Sequence, residues 1–332
     1  PLQIDLTDRK VLSIFNGIEA LNIKDPDYKF KHGSYAIPEF GTSFTRQMLD
    51  DTKPDKFADL VRISGFSHGT DVWLNNAQDY IRSGTATMRE VISTRDDIMN
   101  YLILKGVENE TAFKIMEIVR KGKKDLDEQQ VATMKEHNVP DWYIDSCNKI
   151  KYMFPRAHAV AYTMMSFRMA WYKVYYPQEF YATYFTTKVA NFDAETILKG
   201  KEAILARMDE ITAKGTNASA KEKDDYTILE VAYEMYARGY EFMPIDIYRA
   251  HATDFQVIDG KIMPSFASID GMGEKAAIGL VEEAKKGKFL SREDLCQRSK
   301  VSKTLADQMA DMGLLGDMPK SNQISLFDID FL

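Results

Sequence analysis

A stretch of 33 residues, Ser146 to Gln178, contains no aspartate or glutamate, although the whole chain of 332 residues has a net charge of −7. It holds eight aromatic side chains and five basic ones. The basic residues are Lys149, Lys151, Arg156, Arg168 and Lys173. Because lysine and arginine form charge-assisted hydrogen bonds with phosphate oxygens, this composition is typical of a local site for a polyphosphate.

Two prolines delimit the element that must position these side chains. Pro155 suits the first position of a helix and Pro177 blocks its continuation, so about 21 residues, roughly 32 Å, are predicted to form one helix. Its free N–H groups near Arg156, with Lys149 and Lys151 close by, would attract a polyphosphate. The alternative is a buried aromatic helix with a few solvated lysines, and the residues alone leave it open.

The helical period divides this segment into two faces. One face is predicted to carry His158, Tyr162, Met165 and Met169. Lys151 reaches that face if the turn before the helix folds back. The opposite stripe is predicted to face the core and consists of Met164, Phe167, Trp171 and Val174.

Two further groups are weaker candidates for anion binding. The cluster Arg120-Lys121-Gly122-Lys123-Lys124 follows a predicted helix end, where the helix dipole favours cations without any ligand. His68 lies in the Gly/Ser-containing segment Ser64-Gly65-Phe66-Ser67-His68-Gly69-Thr70, which is predicted to be a loop. Its imidazole is either functional or an ordinary surface histidine.

Near the C-terminus, Ile269-Asp270-Gly271-Met272-Gly273-Glu274-Lys275 has the spacing of a helix-hairpin-helix motif. Gly271 and Gly273 would let backbone N–H groups approach a DNA phosphate, and Lys275 would add charge without reading bases. The alternative is a loop that merely needs two glycines. A degenerate second copy is predicted within 301–315, where the glycines remain but the charge is lost.

The last twelve residues contain Gln-x-x-Leu-Phe after a polar linker. Such a tail is suited to docking in a partner's apolar pocket, with Leu326 and Phe327 as anchors and Gln323 as the polar contact. Folding back onto its own domain is the alternative.

Several chemistries are not indicated. Cys147 and Cys296 are the two cysteines and stand far apart, which argues against a disulfide scaffold or structural zinc and favours a reducing compartment. No nucleotide-binding Walker loop or Gly-x-Ser-x-Gly motif occurs. The pairs Asp50-Asp51 and Asp96-Asp97 are adjacent on predicted helices, so their side chains diverge and are predicted to be surface charges. No metal site is expected here, and no apolar run could span a membrane.

The periodicity predicts a mainly α fold, with a small α/β region before tandem helix-hairpin-helix elements. Among the predicted helices are 87–91, 109–121, 155–176, 193–212 and 221–237. Short strands are predicted at 240–243 and 255–258, the latter paired with 261–263 through an Asp-Gly turn. The chain begins without Met and enters helical patterning almost at once, so we expect it to be a piece of a longer protein.

Four motifs resemble a known family: Ile37-Pro38-Glu39-Phe40-Gly41-Thr42, Ser64 to Trp73, Tyr143 to Cys147, and Lys149 to His158. They resemble the C-terminal part of bacterial C-family replicative DNA polymerases, namely the PolC-type alpha subunit of DNA polymerase III. The resemblance implies the end of the palm at 1–30, fingers at 31–240, a duplex-binding domain at 241–316 and a clamp-binding tail at 317–332. The palm, with its Mg²⁺-binding aspartates, and the exonuclease domain would lie outside this chain.

The resemblance also implies a site for the incoming deoxynucleoside triphosphate. Lys151 and Arg156 would contact the triphosphate, while His158 and Tyr162 would approach the sugar and base. Ser67 and His68 would line the nearby pocket. Additional phosphate contacts would come from Arg120, Lys121 and Lys123. Partners would be primer-template DNA, the sliding clamp and the rest of the polymerase, in the bacterial cytoplasm at the nucleoid-associated replisome.

A competing hypothesis is a non-catalytic DNA-binding adaptor with a helix-hairpin-helix motif and a clamp-docking tail. The long acid-free aromatic helix favours the polymerase, because an adaptor has no need for a nucleotide site. Binding of a deoxynucleoside triphosphate with primed template would separate the two.

Overall fold

The computed structural model describes residues 3–322, which form 16 α-helices and one two-stranded sheet. The mainly α prediction is confirmed. These residues divide into two compact units, the first comprising 3–22 and 29–174 and the second comprising 23–28 and 175–322. Within the described residues, no helix is both long enough and apolar enough to cross a bilayer.

Nine helices begin in the first unit. They are α1 (Arg9–Ser13), α2 (Ser43–Thr52), α3 (Phe57–His68), α4 (Gln78–Arg82), α5 (Arg95–Leu104), α6 (Asn109–Lys121), α7 (Glu128–Glu136), α8 (Asp141–Lys149) and α9 (Arg156–Tyr175). Local chemistry sets several of these boundaries. The Asp97 carboxylate accepts from the backbone N–H of Thr94 at 2.9 Å at the start of α5, and Gly122 ends α6 in a left-handed conformation with φ of +56°.

The buried face of α9 differs in part from the predicted stripe. Phe167 and Val174 are buried, whereas Met164 and Trp171 are only half-buried. Small residues complete the buried face, namely Ala159, Thr163, Ser166 and Ala170. Small side chains let neighbouring segments approach the helix backbone closely, so apolar character alone did not identify this face.

Lys173 also belongs to the buried part of α9, and its side chain is 0% exposed. Its ammonium group donates to the carbonyl oxygens of Gly33 at 2.7 Å and Tyr35 at 2.5 Å. The alternative interpretation of this stretch, in which its lysines are solvated, is therefore wrong for Lys173.

The second unit contains the remaining elements. They are α10 (Pro177–Thr187), α11 (Ala194–Ile197), α12 (Lys201–Lys214), α13 (Ala220–Ala237), β1 (Gln256–Ile258), β2 (Lys261–Met263), α14 (Glu274–Lys286), α15 (Arg292–Ser299) and α16 (Lys303–Asp311). The strands are antiparallel, with Ile258 opposite Lys261. Asp259 and Gly260 both have positive φ, as a tight Asp-Gly hairpin turn requires.

Three predicted elements take a different form. The helix predicted at 193–212 is divided by Gly200, whose φ of +101° is not helical. The segment predicted at 87–91 forms turns, because the hydroxyl and backbone N–H of Thr87 bind the Glu90 carboxylate instead. The strand predicted at 240–243 is reduced to one bridge between Phe242 and Ile262.

The helices α14, α15 and α16 share one apolar core with the hairpin that precedes them. Ile269 and Met272 of the hairpin are buried with Ala277 and Leu280 of α14, and Met309 of α16 joins the same cluster. The hairpin is therefore held from its apolar side, while its glycines are exposed.

Candidate nucleotide and DNA interface

The start of α9 lies against the end of α3. The N–H of Thr70 donates to the carbonyl oxygen of Tyr152 at 2.9 Å, and the N–H of Lys151 donates to the carbonyl oxygen of Thr70 at 3.1 Å. The turn before α9 therefore folds onto the segment that follows His68. His68 itself is the last residue of α3, not a loop residue as predicted, because helix α3 continues through the Ser64–Gly65 segment.

Four rings form an aromatic cluster at this point: His68, Phe154, His158 and Tyr162. The His68 and Phe154 rings are stacked, with centroids 4.7 Å apart and an interplanar angle of 22°. The Tyr162 ring is nearly parallel to that of His68, at 8° and 6.5 Å, and it lies 6.3 Å from Phe154. His158 contacts Phe154 edge-on at 5.9 Å. Because Tyr162 is 50% exposed, the cluster offers aromatic surface to solvent.

His68 is held by neighbours on two sides. Its Nδ1 lies 2.8 Å from the carbonyl oxygen of Ser64 and 3.0 Å from the Ser67 hydroxyl. Its Nε2 lies 2.8 Å from a carboxylate oxygen of Glu39. Ser67 and His68, for which the resemblance implies a place near the nucleotide, thus lie together at the aromatic cluster.

The second basic cluster adjoins Lys151 through Gly122. A Cβ atom added to Gly122 would collide with the backbone of Lys151, so the two segments touch there. The fold thus places residues 120–124 next to Lys151, which lies about 29 positions later in the sequence. Basic residues of the second cluster therefore adjoin the segment that leads into α9.

The cations of this region fall into two groups. Arg120 forms a two-bonded ion pair with Glu117 at 2.7 and 2.8 Å, and Lys121 lies 3.4 Å from the same carboxylate. These hydrogen bonds, those of Arg120 first, lower the pKa of Glu117 to about 2. In contrast, four exposed side chains make no hydrogen bond or ion pair with any of residues 3–322: Lys123, Lys124, Lys151 and Arg156.

One acidic residue enters the region unexpectedly. The carboxylate of Asp96 accepts a hydrogen bond from the backbone N–H of Arg156 at 2.8 Å. Asp96 was predicted to be only a surface charge of its own helix, but it also satisfies one free N–H at the start of α9. An anion at this site would therefore depend more on the side chains of Lys151 and Arg156 than on the helix terminus.

Lys149 does not share this role. Its ammonium group lies 2.8 Å from the Asp145 carboxylate and 3.3 Å from the Tyr80 hydroxyl. Lys149 and Lys151 are neighbours in sequence and were predicted to act together, yet Lys149 belongs to α8 and faces α4.

In the second unit, the Gly271–Gly273 hairpin precedes α14. Gly271 has φ of +78°, and Gly273 caps α14 without any side-chain hydrogen bond. Nothing lies within 4 Å of a Cβ atom placed on either glycine, and Lys275 is exposed in the first turn. The backbone N–H groups at this helix start are therefore accessible to a ligand.

The predicted second hairpin has a different geometry. The segment 301–315 contains α16 followed by turns at Gly313 and Gly316, and no helix follows them up to residue 322. Helices α15 and α16 are instead joined through Lys300, whose φ is +60°, and Ser302, whose hydroxyl caps α16. Gly313 and Gly316 therefore follow the end of α16, and they do not connect it to another helix within the described residues.

The residues predicted to bind the sliding clamp, Gln323, Leu326 and Phe327, lie outside the described residues. Between residues 3 and 322, no group of three or more His, Cys, Asp or Glu side chains is arranged to hold a metal ion.

Glu39 and Phe154 were not predicted to be members of the site, yet both contact His68. Glu39 lay within a motif quoted for the resemblance, and Phe154 directly precedes the proline that starts α9. Neither position carries a local pattern that predicts contact with His68, because both contacts join distant segments.

Two family models match separate parts of the chain. Residues 1–139 match the model of the bacterial DNA polymerase III alpha subunit finger domain, and residues 239–324 match a helix-hairpin-helix motif. The chain thus combines a polymerase finger domain with a module of helix-hairpin-helix type.

Curated relatives agree over almost the whole chain. It is 54% identical to DNA polymerase III PolC-type of Clostridium perfringens over 327 residues, which are 98% of this chain and 22% of the relative. Identity to DNA polymerase III PolC-type of Bacillus subtilis is 51% over 327 residues, with 98% and 23% covered. The chain belongs to the PolC-type DNA polymerase III family and spans less than a quarter of the length of these relatives.

Proposed function

We propose that this chain serves a replicative DNA polymerase by binding the incoming deoxynucleoside triphosphate in its first unit and duplex DNA in its second. The observation that carries the nucleotide site is the meeting of free cations with the aromatic cluster at the start of α9. Lys151 and Arg156 are exposed and uncompensated there. The names of the relatives favour this function over the non-catalytic adaptor.

In this proposal, Lys151 and Arg156 bind the triphosphate, and His158 and Tyr162 pack on the sugar and base. Ser67 and His68 line the same pocket. Lys123 makes a further phosphate contact. Arg120 and Lys121 also bind phosphate after their ion pairs with Glu117 break. Holding the α-phosphate in line for attack is most of what a protein contributes to phosphoryl transfer.

Catalysis would need carboxylates from elsewhere in the polymerase. In this proposal the metal-binding aspartates belong to a part of the palm outside this chain, as the resemblance to the PolC-type family implies. We retain the assignment of 1–30 to the palm end, 31–240 to fingers, 241–316 to duplex binding and 317–332 to clamp binding. The chain's own residues then bind and orient substrates for a reaction completed by the palm.

For DNA, we propose that Gly271, Gly273 and Lys275 bind one backbone phosphate. Replacing Lys275 with Ala should weaken binding nearly equally for all duplex sequences. The slope of log affinity against log salt should fall by about one, because one phosphate contact is lost. Fluorescence anisotropy with two unrelated duplexes at several salt concentrations measures both effects.

Lys286→Ala is the matched control for this experiment. Lys286 lies at the other end of α14 and pairs with Glu283 at 2.5 Å, so its loss should leave the salt slope unchanged. An unchanged slope for Lys275→Ala would remove that residue from the DNA interface.

The nucleotide site is tested in a full-length polymerase that carries this segment. Arg156→Ala should lower kcat/KM for all four nucleotides by a similar factor, about tenfold or more, because charge-assisted bonds to the triphosphate are lost. Tyr162→Ala should raise KM. Single-nucleotide incorporation kinetics and a separate DNA titration measure these effects.

The control is Lys149→Ala, since Lys149 is engaged with Asp145 and Tyr80. Its kcat/KM should stay near that of the parent enzyme. If Arg156→Ala weakened only DNA binding, Arg156 would belong to the template or primer contacts. If no variant changed nucleotide use, the adaptor function would be favoured.

A further inference from the structure

Glu39 has an unusual backbone conformation. Its φ is +70°, in the left-handed region that residues with a Cβ atom occupy only at a cost in free energy. Such conformations persist where the surrounding structure enforces them, and they concentrate at functional sites.

The carboxylate of Glu39 lies close to the imidazole ring of His68. Its Oε2 atom is fully buried and accepts no hydrogen bond of good geometry from residues 3–322. The Nε2 atom of His68 lies 2.8 Å from that oxygen, so the imidazole is the group that faces it. The side chain of Glu39 as a whole is 20% exposed and that of His68 is 34% exposed, so the contact is partly shielded from water.

The loop that carries Glu39 is braced by other segments. The buried ammonium group of Lys173 binds two of its carbonyl oxygens, those of Gly33 and Tyr35. The guanidinium carbon of Arg46 lies 4.0 Å from the centroid of the Tyr35 ring. Contacts with other segments therefore hold the backbone of the loop that carries Glu39 and restrict its conformation.

The opposite side of His68 is supported by its own helix. The Nδ1 atom of His68 lies 2.8 Å from the carbonyl oxygen of Ser64, one turn earlier in α3. With Nδ1 bound to α3 and Nε2 facing Glu39, rotation of the ring would break both contacts. The ring is thus kept within 8° of parallel to Tyr162 and stacked on Phe154.

We propose that Glu39 is a positioning residue that orients the His68 ring, so that the nucleotide base meets a prearranged stacking surface. This inference rests on the proposed nucleotide site. It gives the strained conformation of Glu39 a function, because the strain places a carboxylate where it aligns His68. Glu39 itself touches neither the nucleotide nor the reacting atoms.

The test is Glu39→Gly in the full-length polymerase. Glycine adopts φ of +70° without strain, so the thermal midpoint should stay the same or rise, although the carboxylate is lost. We expect KM for nucleotides to rise about tenfold while kcat changes less than about twofold, since ground-state positioning is lost. Glu39→Gln, which keeps the shape and one hydrogen-bonding oxygen, should restore most of the affinity.

Asp50→Ala is the matched control. Asp50 pairs with His32 at 3.1 Å in the same unit, and neither residue belongs to the aromatic cluster, so KM should not change. A Glu39→Gly enzyme with parental KM would overturn the inference. A fall in thermal midpoint together with equal losses of nucleotide and DNA binding would also overturn it, because that pattern indicates a purely structural role.

Tyr162→Ala, measured in the same assay, separates the two proposals. If it raises KM while Glu39→Gly does not, only the positioning role is wrong. If neither changes KM, the nucleotide site and the positioning role are both wrong.

Discussion

At the scale of single residues, two lysines of the acid-free stretch have different roles, one available to a ligand and one structural. Lys151 is exposed before α9 and makes no ion pair with the described residues, whereas Lys173 near the end of α9 is completely buried. Lys173 uses its hydrogen-bond donors on backbone carbonyls, so its contribution is structural. Net charge over the stretch therefore overstates the charge available to a ligand.

We expect Lys173→Met to lower the free energy of unfolding by about 1–3 kcal/mol, because buried carbonyl oxygens lose their donor while the volume is nearly kept. Urea denaturation of the chain measures the change. Lys124→Met is the control, since exposed substitutions usually stay within about 0.5 kcal/mol. Equal effects of the two substitutions would contradict the structural role of Lys173.

At the scale of elements, the C-terminus of α6 determines where the second basic cluster lies. Gly122 ends the helix with a positive φ and lets its backbone touch that of Lys151. A larger residue cannot occupy this contact without movement of the main chain. The end of one helix thus fixes the distance between two groups of cations.

Gly122→Ala should therefore be more destabilising than Gly84→Ala. Both glycines have positive φ, so alanine costs each about 1–2 kcal/mol, but space around Gly84 is open. The collision at Gly122 should add about 1–3 kcal/mol and raise KM for nucleotides by displacing Lys151. Denaturation midpoints and incorporation kinetics test this pair, and identical values for the two variants would disprove the close contact.

At the scale of the whole molecule, the two units supply different binding functions in our proposal, and the tail supplies a third. Residues 319 and 320 belong to the second unit, because their carbonyl oxygens accept from the backbone N–H groups of Arg292 and Glu293 at 2.9 and 3.2 Å. The proposed clamp-binding motif begins just beyond, at residue 323. A truncation after Asn322 keeps these hydrogen bonds.

Such a truncation should abolish association with the sliding clamp and leave DNA affinity unchanged. The double substitution Leu326→Ala and Phe327→Ala should have the same effect, because apolar anchors dominate docking of short motifs. Surface plasmon resonance with immobilised clamp measures this. Undiminished binding by either variant would place the clamp contact elsewhere in the polymerase.

The sequence alone determined the family, the mainly α character and most helix positions. Helix periodicity, caps and proline boundaries depend on residues three or four positions apart, so they are readable locally; the helix predicted at 109–121 agrees with α6 at both ends. The Gly-x-Gly spacing of the hairpin is equally local.

Only the tertiary structure decided which candidate residues meet. Asp96 caps α9 across 60 positions of sequence, Lys173 binds carbonyls 138 and 140 positions away, and Glu39 faces His68 from another segment. These contacts depend on how helices pack, and packing is decided by the shapes of many side chains together. Residue types could name the cations and rings of the site, but burial and long-range contact decided which of them are free to bind.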